Sequence, residues 1–423
     1  MFPRFSSRAS KLFSPPLSAI IAFFDRIYKM EKGGEKLCLH FGRCGGCRFQ
    51  DIPYGEQVRR KKVFCRDLWE AAGRPGQLQP PIPSPRAFYY RNKMEFSFSG
   101  GAGEVICGLH HATSKRRVIE IRQCLLFSPD VGAILSALGG FARRSGLPAY
   151  DSYRHRGFWR NLVLREGKFS RQLMINLVTT SRGDIDRGEL ERTVSNLKTE
   201  NAIVSLLWTV NDRPSDAVIP ERVEIIAGRD FLEERIRGLT FRILPFTFFQ
   251  VNPFILESFY DLLLELLPPG GDEKILDVFC GTGTISLVLA PRAGEVIGVE
   301  LNEEAVAAAR INAELNGIGN IDFIPGRARQ VLLELRQSWK GNIDVVVANP
   351  PRSGLGGKVI KRIGEIEPES IVYSSCNPKT FFAEAGAFLK DYDLEIIQPF
   401  DFFPHTPHLE MLALFRRKKG QRK

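Results

Sequence analysis

The chain has 423 residues, of which 43% are hydrophobic, and its formal net charge is +11. This length suits two or three domains, and no run reaches the roughly 18 apolar residues of a membrane span, which argues against a membrane protein. Residues 1–235 hold 38 Lys and Arg against 25 Asp and Glu, whereas residues 236–423 hold 21 against 23. The asymmetry favours a front half that binds a polyanion, with nucleic acid as the first candidate and general solubility as the alternative.

Residues 1–37 are interpreted as an extension outside the fold. Residues 1–29 are rich in Arg, Lys, Ser and Phe, and their first acidic residue is Asp25. This composition is typical of a transit peptide. A disordered extension, or an upstream start codon with Met30 as the true start, explains it equally well.

A group of cysteines follows. Cys38, Cys44 and Cys47 lie within ten residues in CLHFGRCGGCRF, and Cys124 comes later in RQC. Three close thiols and a distant fourth favour a [4Fe–4S] cluster, whereas zinc usually takes two close pairs; a chance group of structural thiols is the remaining alternative. Because thiols persist in a reducing compartment, the cysteines predict a cytoplasmic protein.

The periodicity of residues 55–73 predicts an amphipathic helix in the cluster segment, residues 38–125. Its apolar face holds Val58, Cys65, Leu68, Trp69 and Ala72, and the basic run 59–62 lies mostly on the other face. Cys65 and Cys107 are interpreted as packing residues. Short strands then predict a β-rich RNA-binding domain over residues 126–238. The candidates for an RNA-facing surface are Arg116, Arg117, Arg156, Arg160 and Arg165, and a solvated surface charge is the alternative for any single one of them.

From residue 239 to residue 416, strands alternate with helical patterns, which predicts an α/β domain with a mostly parallel sheet. Residues 417–423 form a basic tail. Within this domain ILDVFCGTGT reads as strand, glycine turn and helix, in which Gly281 and Gly283 allow close approach of a ligand. A dinucleotide motif needs a third glycine where Ser286 stands. With Glu300 ending the next strand, where ribose hydroxyls are bound, the pattern favours S-adenosylmethionine.

The fourth strand of this domain ends in ANPPRSG, which places the Asn349 amide at the edge of the sheet. Methyltransferases that modify amino groups use a similar tetrapeptide with an aromatic residue in its fourth place. Because Arg352 stands there, methylation of a base nitrogen is disfavoured.

A thiol at the tip of a strand is the most specific chemical signal in the chain. In SIVYSSCNPKT, Cys376 follows an apolar strand and precedes the turn pair Asn377-Pro378. Beside a methyl donor, a thiolate that adds to C6 of uracil makes C5 a nucleophile able to take the methyl group. A base must then remove the C5 proton. The candidates, His405, His408 and Glu410, lie in PFDFFPHTPHLEMLALF; the alternative is that they pack or solvate a strand end.

The motifs FTFFQVNP, LDVFCGTGT, NPPRSG, SSCNPKT and FPHTPHLEMLALF occur in the order seen in bacterial RNA uracil-C5 methyltransferases, and the chain resembles that family from about Cys38 to Arg416. The resemblance implies a Rossmann-like S-adenosylmethionine methyltransferase domain, with Cys376 as the nucleophile and Glu410 as the base. It assigns contacts with the cofactor or the target base to Gln250, Phe279, Glu300 and Asn349. The resemblance also implies a [4Fe–4S] cluster on the cysteine quartet, which consists of Cys38, Cys44, Cys47 and Cys124.

Two positions depart from the family pattern. Many members have Asp in place of Asn349, and an acidic or amide residue in place of Arg327, so the adenine contact is left unassigned. The overall expectation is a cytoplasmic, monomeric enzyme that makes 5-methyluridine in 23S ribosomal RNA, because transfer-RNA enzymes of the family often lack the cluster cysteines. A transfer-RNA methyltransferase and a non-catalytic Fe–S RNA-binding protein are the alternatives.

Overall fold

The computed structural model describes residues 37–214, 220–268 and 270–419. The interpretation of residues 1–37 as an extension therefore lies, except for residue 37, outside the described residues. Among the helices in these three ranges, none combines the length and the hydropathy that a membrane span requires.

The first described element after the cysteine-bearing loop is helix α1 (Tyr54–Ala71), which confirms the helix predicted over residues 55–73. It buries Val58 and Cys65, as its periodicity predicts. It also buries Lys61, which is 3% exposed and pairs with Asp401. The basic run 59–62 is therefore not a continuous solvent-facing surface. After α1, strand β1 (Gln77–Leu78) joins the edge of the C-terminal sheet.

A mostly antiparallel sheet occupies the middle of the described chain. Its strands are β2 (Lys93–Ser99), β3 (Ile106–His111), β4 (Ser114–Glu120), β5 (Trp159–Gly167), β6 (Gln172–Thr179), β7 (Ala202–Val210) and β8 (Arg222–Gly228), in the order β4-β3-β2-β5-β6-β7-β8. Strands on both sides of residue 126 thus share one sheet. The parallel pair β6–β7 is connected through helix α3 (Arg187–Ser195), and helix α2 (Val131–Arg144) contributes Phe141 to the core beside Trp159.

Two of the arginines predicted for an RNA-facing surface are buried in this region, so that prediction is wrong for them. Arg160 is 5% exposed, and its Nη1 donates to the carbonyl oxygens of Asn211 and Arg213. Arg165 is 4% exposed and donates through Nε to the carbonyl oxygen of Pro245, at 3.1 Å. Because charge burial requires such partners, these side chains brace loops. Arg116, Arg117 and Arg156 are exposed.

A short hairpin, β9 (Leu232–Ile236) and β10 (Leu239–Ile243), leads into the C-terminal part. There the strands are β11 (Lys274–Val278), β12 (Glu295–Glu300), β13 (Ile321–Pro325), β14 (Val345–Ala348), β15 (Ser370–Ser375), β16 (Tyr392–Phe400) and β17 (Glu410–Arg417). The helices are α4 (Pro253–Glu265), α5 (Thr284–Leu289), a 3₁₀ turn (Ala290–Arg292), α6 (Glu303–Leu315), α7 (Ala328–Trp339), α8 (Gly357–Ile366) and α9 (Pro378–Phe388).

The strand order in the described C-terminal sheet is β1-β16-β17-β15-β14-β11-β12-β13. Strands β11 to β15 pair in parallel, whereas β17 is antiparallel to both of its neighbours, β15 and β16. The central strands are almost wholly buried, as expected for parallel strands covered by helices on both faces. The predicted α/β architecture is therefore confirmed, and the carboxyl ends of β11, β12, β14 and β15 meet at one edge.

Candidate active site

A cavity of about 980 Å³ opens at the edge where the parallel strands end. Such an edge is the usual ligand site of an open α/β sheet. The cavity is lined by residues that directly follow β11, β13, β14 and β15, and by the first residue of β17. All six residues predicted for catalysis or cofactor binding line this cavity: Gln250, Phe279, Glu300, Asn349, Cys376 and Glu410.

One end of the cavity is the glycine turn between β11 and α5. Gly281 and Gly283 have φ angles of +56° and +77°, in the left-handed region that favours glycine. A Cβ on Gly283 would also lie 2.8 Å from the Leu287 side chain. Glu300 fixes the turn, because its Oε2 accepts a hydrogen bond from the Gly281 N–H at 3.1 Å. Its Oε1 accepts from the Asn302 N–H at 2.9 Å, so the carboxylate is held at the rim of the cavity.

Below this turn lies a buried carboxyl–hydroxyl pair. Asp277 is fully buried, and Ser286 Oγ donates to its Oδ2 at 2.5 Å. Burial raises the pKa of Asp277 to about 7, although the hydrogen bonds from Ser286 act to lower this pKa. Ser286, which replaces the third glycine of a dinucleotide motif, therefore ties α5 to the end of β11. Asp277 is not among the cavity-lining residues, so this pair supports the turn from behind.

Cys376 follows the last residue of β15 and is half-buried. Burial raises the pKa of its thiol, and the negative charge of Glu410 acts in the same direction. Arg352 acts in the opposite direction, through its charge and a hydrogen bond to the thiol. The arginine that stands in the fourth place of NPPR therefore favours the thiolate, which is the nucleophilic form.

Glu410 opens β17, and its position follows from the antiparallel pairing with β15. This register sets Met411 opposite Ser375, and Ser374 Oγ donates to Glu410 Oε1 at 2.6 Å. The side chain is buried, and burial raises the pKa of Glu410 to about 7 while the Ser374 hydrogen bond lowers it. A carboxyl with this pKa exchanges a proton readily near neutral pH, which is what a general base requires.

The two histidines differ from Glu410 in their placement. Neither His405 nor His408 is among the described residues that line the cavity. His405 is fully buried, and burial lowers its pKa to about 4, whereas the exposed His408 packs edge-on against Phe403.

Sequence reasoning missed several cavity residues. Phe248 is 61% exposed and lines the cavity, and its place in FTFFQVNP, two residues before Gln250, was an available signal. Arg91 also lines the cavity, although it belongs to the segment just before β2. No local pattern marks Arg91, because only the packing of the two sheets brings it there.

The four cysteines of the quartet line a second, much smaller cavity. Gln50 Nε2 donates to Cys47 Sγ at 3.4 Å, and the Gly46 N–H donates to Cys44 Sγ at 3.3 Å. All eight cysteines are free, and no group of side chains in the described ranges is placed to hold a metal ion. Four thiols from two segments around one space are nonetheless the donor set that a [4Fe–4S] cluster takes. The cluster stays a prediction.

Curated relatives match almost the whole chain. A Clostridium tetani protein described as an uncharacterized RNA methyltransferase is 37% identical over 388 residues, covering 91% of this chain and 84% of the relative. One from Caldanaerobacter subterraneus is 38% identical over 386 residues, covering 90% and 85%. The family model for tRNA (uracil-5-)-methyltransferase matches residues 220–418. The chain belongs to the RNA uracil-C5 methyltransferase family.

Members of the RNA uracil-C5 methyltransferase family transfer methyl groups to uracil in RNA, and the prediction of an RNA methyltransferase is confirmed. The chain is also similar to the solved Pyrococcus abyssi tRNA (uracil-54, C5)-methyltransferase in complex with S-adenosyl-L-homocysteine. That likeness has a TM-score of 0.71 at 30% identity and covers 88% of this chain and 85% of the other. It confirms the α/β methyltransferase fold and supports S-adenosylmethionine as the methyl donor.

Proposed function

We propose that the protein methylates C5 of a uridine in RNA through a covalent bond between Cys376 and C6. The thiolate Sγ attacks C6, and the electrons of the C5–C6 double bond move toward C5, which becomes an enolate-like nucleophile. S-adenosylmethionine supplies the methyl group that C5 takes. Glu410 then removes the C5 proton, the double bond re-forms, and the C6–S bond breaks to release the thiolate of Cys376.

The observation that carries this proposal is that the Cys376 thiol and the buried Glu410 carboxyl line the same cavity as the glycine turn. The route needs a thiolate and an ionised carboxylate together. Arg352 favours the thiolate, against the burial and the Glu410 charge that raise the pKa of Cys376, and the pKa of Glu410, about 7, leaves a large ionised fraction at neutral pH.

For the methyl donor, the rim of the cavity supplies the partners. Glu300 is oriented to accept from ribose hydroxyls beside the Gly281 backbone. Phe279 and Asn349 directly follow β11 and β14, and Gln250 lines the same cavity from the loop before α4. We assign to these three residues contacts with the donor or the target base.

For the RNA, we propose that the front half supplies part of the binding surface. Residues 1–235 carry the excess of basic residues, and Arg116 and Arg117 lie exposed on β4. Arg116 stacks 4.3 Å over the ring of Tyr153, which is 64% exposed. An exposed aromatic ring with a neighbouring arginine is suited to stack on an unpaired base.

We propose 23S ribosomal RNA as the substrate, on the argument from the cysteine quartet. Transfer RNA is the second candidate, because the similar Pyrococcus abyssi enzyme is a tRNA (uracil-54, C5)-methyltransferase. We further propose that Cys38, Cys44, Cys47 and Cys124 hold a [4Fe–4S] cluster that joins the N-terminal loop to the β-rich region in the reducing cytoplasm. Protein purified without oxygen is then expected to be brown, with about four iron and four sulfide per chain; stoichiometric zinc without iron would contradict the cluster.

The catalytic proposal is tested with Cys376→Ala, incubated with methyl-labelled S-adenosylmethionine and RNA from cells lacking the modification. Ribosomal and transfer RNA are assayed separately for 5-methyluridine. We expect the unmodified protein to label one pool and Cys376→Ala to label neither and to form no covalent adduct. Cys65→Ala is the matched control, because it also removes a thiol but from the core. Product from Cys376→Ala would overturn the covalent route.

A further inference from the structure

The loop that delivers Glu410 to the cavity, residues 401–409, is held by the first part of the chain. Lys61 Nζ on α1 donates to Asp401 Oδ1 at 2.6 Å and to the carbonyl oxygen of Phe403 at 3.1 Å. Both Lys61 and Asp401 are buried. Tyr90 adds a bond from its hydroxyl to the carbonyl oxygen of Pro404, at 3.1 Å. The start of the loop is thus fixed by residues more than 300 positions away.

The centre of this loop depends on one glutamine. Gln57 Oε1 accepts a hydrogen bond from the His405 N–H at 2.8 Å, and Gln57 Nε2 lies 3.0 Å from His405 Nδ1. The same Nε2 is within 2.8 Å of the carbonyl oxygens of Phe49 and Ile52. In return, the carbonyl oxygen of His405 accepts from the N–H groups of Arg48 and Phe49, at 2.8 and 3.2 Å. Gln57 is itself fully buried, so the contact is shielded from water.

His405 needs this support because its backbone is in an unfavourable region. Its φ angle is +63°, which is uncommon for residues other than glycine and persists only where the surroundings enforce it. Phe88 stacks on the imidazole with ring centres 4.4 Å apart. Burial and the nearby charge of Lys61 lower the pKa of His405 to about 4. The ring therefore stays neutral at physiological pH, and the contact is a fixed brace.

Cys376 is held by different contacts. It directly follows β15, and the adjacent Asn377 caps α9, accepting through Oδ1 from the N–H groups of Lys379 and Thr380. The nucleophile is thus placed by its own strand and the helix that follows it. The loop before Glu410 instead depends on residues 48–61 together with Phe88 and Tyr90.

We infer that Gln57 and His405 are positioning residues for the general base, holding the 401–409 loop so that Glu410 reaches the C5 proton. The inference rests on the proposed function, because it requires the Cys376 and Glu410 roles. Its consequence is a separation of steps: loss of the brace slows proton removal, whereas attack by Cys376 and methylation continue. Methylated RNA then accumulates as a covalent adduct.

The test uses the full chain carrying His405→Asn or Gln57→Met, with methyl-labelled donor and the RNA pool that the unmodified protein labels. His405→Asn keeps the N–H that Gln57 binds, and asparagine tolerates a left-handed backbone better than most residues, so this variant is expected to fold. Gln57→Met keeps volume but removes every polar contact of the side chain. Trp69→Phe is the control, since it removes one hydrogen bond of α1, from Nε1 to the Pro75 carbonyl oxygen, at the opposite end of the helix from Gln57.

We expect the ratio of labelled adduct to released 5-methyluridine to rise about 10-fold or more in both brace variants, since small misplacements of a catalytic group have such effects. The KM for S-adenosylmethionine should stay unchanged in His405→Asn and Gln57→Met. In the control Trp69→Phe, the ratio of labelled adduct to released 5-methyluridine should stay unchanged. If adduct and product fall together in His405→Asn, in proportion to folded protein measured by thermal melting, the residues are merely structural and the inference is wrong. If the unmodified protein gives neither adduct nor product, the proposed function itself has failed.

Discussion

The two ends of the cavity are built in different ways from similar parts. At the cofactor end, the Gly281 turn, Glu300 and the Asp277–Ser286 pair come from one continuous segment, residues 277–300. At the base end, Cys376 and the Glu410–Ser374 pair come from strands that are distant in sequence, and the loop before Glu410 is braced by α1. Both ends hold a buried carboxyl with a serine partner and a pKa of about 7. Only Glu410 lines the cavity, so access to the cavity, rather than pKa, separates the proposed base from the supporting carboxyl.

The largest effect that separates the two ends is expected for Glu300→Gln. Replacing one carboxylate oxygen by an amide NH2 removes an acceptor for the ribose and for one of the two backbone N–H groups that Glu300 binds, and a hydrogen bond to a charged group contributes about 1.5–3 kcal/mol. The KM for S-adenosylmethionine should therefore rise about 10- to 100-fold with little change in kcat at saturating donor. Steady-state kinetics checks this. A fall in kcat with an unchanged KM would place Glu300 in the chemistry and remove the division between the ends.

A smaller effect is expected for Ser374→Ala at the base end. The Ser374 hydroxyl lowers the pKa of Glu410, so its removal raises that pKa further and leaves less ionised base at neutral pH. Turnover should rise with pH in both proteins, and the midpoint of this rise should lie about one pH unit or more higher in Ser374→Ala than in the unmodified protein. Ser375→Ala is the matched control, because this neighbouring hydroxyl bonds within its own turn, to the Asn377 carbonyl oxygen. Equal profiles in all three proteins would show that another group sets the pH dependence.

The comparison of the two ends also makes a prediction about stability. Because the pKa of Glu410 in the folded protein, about 7, exceeds its unfolded value, stabilisation by protonation is complete below about pH 4.5 and is lost as pH rises through 7. Glu410→Gln avoids this loss and should be more stable than the unmodified protein at pH 8, by up to about 3 kcal/mol, with the difference vanishing near pH 4.5. Urea unfolding at both pH values measures it. Asp277→Asn should also be more stable than the unmodified protein at pH 8. If one of the two variants were instead less stable at pH 8, the two carboxyl–serine pairs would not be alike.

Much of the cofactor end could be predicted from the sequence, because the glycine turn follows the apolar run of β11 and Glu300 ends the next strand, β12. The same rule located Cys376 after β15. Glu410 was harder, since its neighbours His405 and His408 are also plausible bases; the antiparallel register of β17 decides which side chain meets Ser374.

What could not be predicted depends on contacts distant in sequence. Arg165 and Lys61 look like surface charges in their own segments, but Arg165 is satisfied by a backbone carbonyl 80 residues away and Lys61 by Asp401, 340 residues away. The basic composition of the front half therefore overstates its free positive surface. Gln57 carried no signal, because a glutamine on a predicted helix face gives no indication of a buried partner such as His405.

The central claim is that Cys376 bonds to the RNA and Glu410 releases it, and the most direct measurement follows the methyl label in Glu410→Gln. The amide keeps the shape of the side chain but accepts no proton, so attack and methylation continue while elimination stalls. The account predicts a band of protein joined to RNA that survives a denaturing gel and carries label from S-adenosylmethionine. This band should be absent from the double variant that carries both Glu410→Gln and Cys376→Ala. Normal release of 5-methyluridine by Glu410→Gln, with no labelled band, would contradict it.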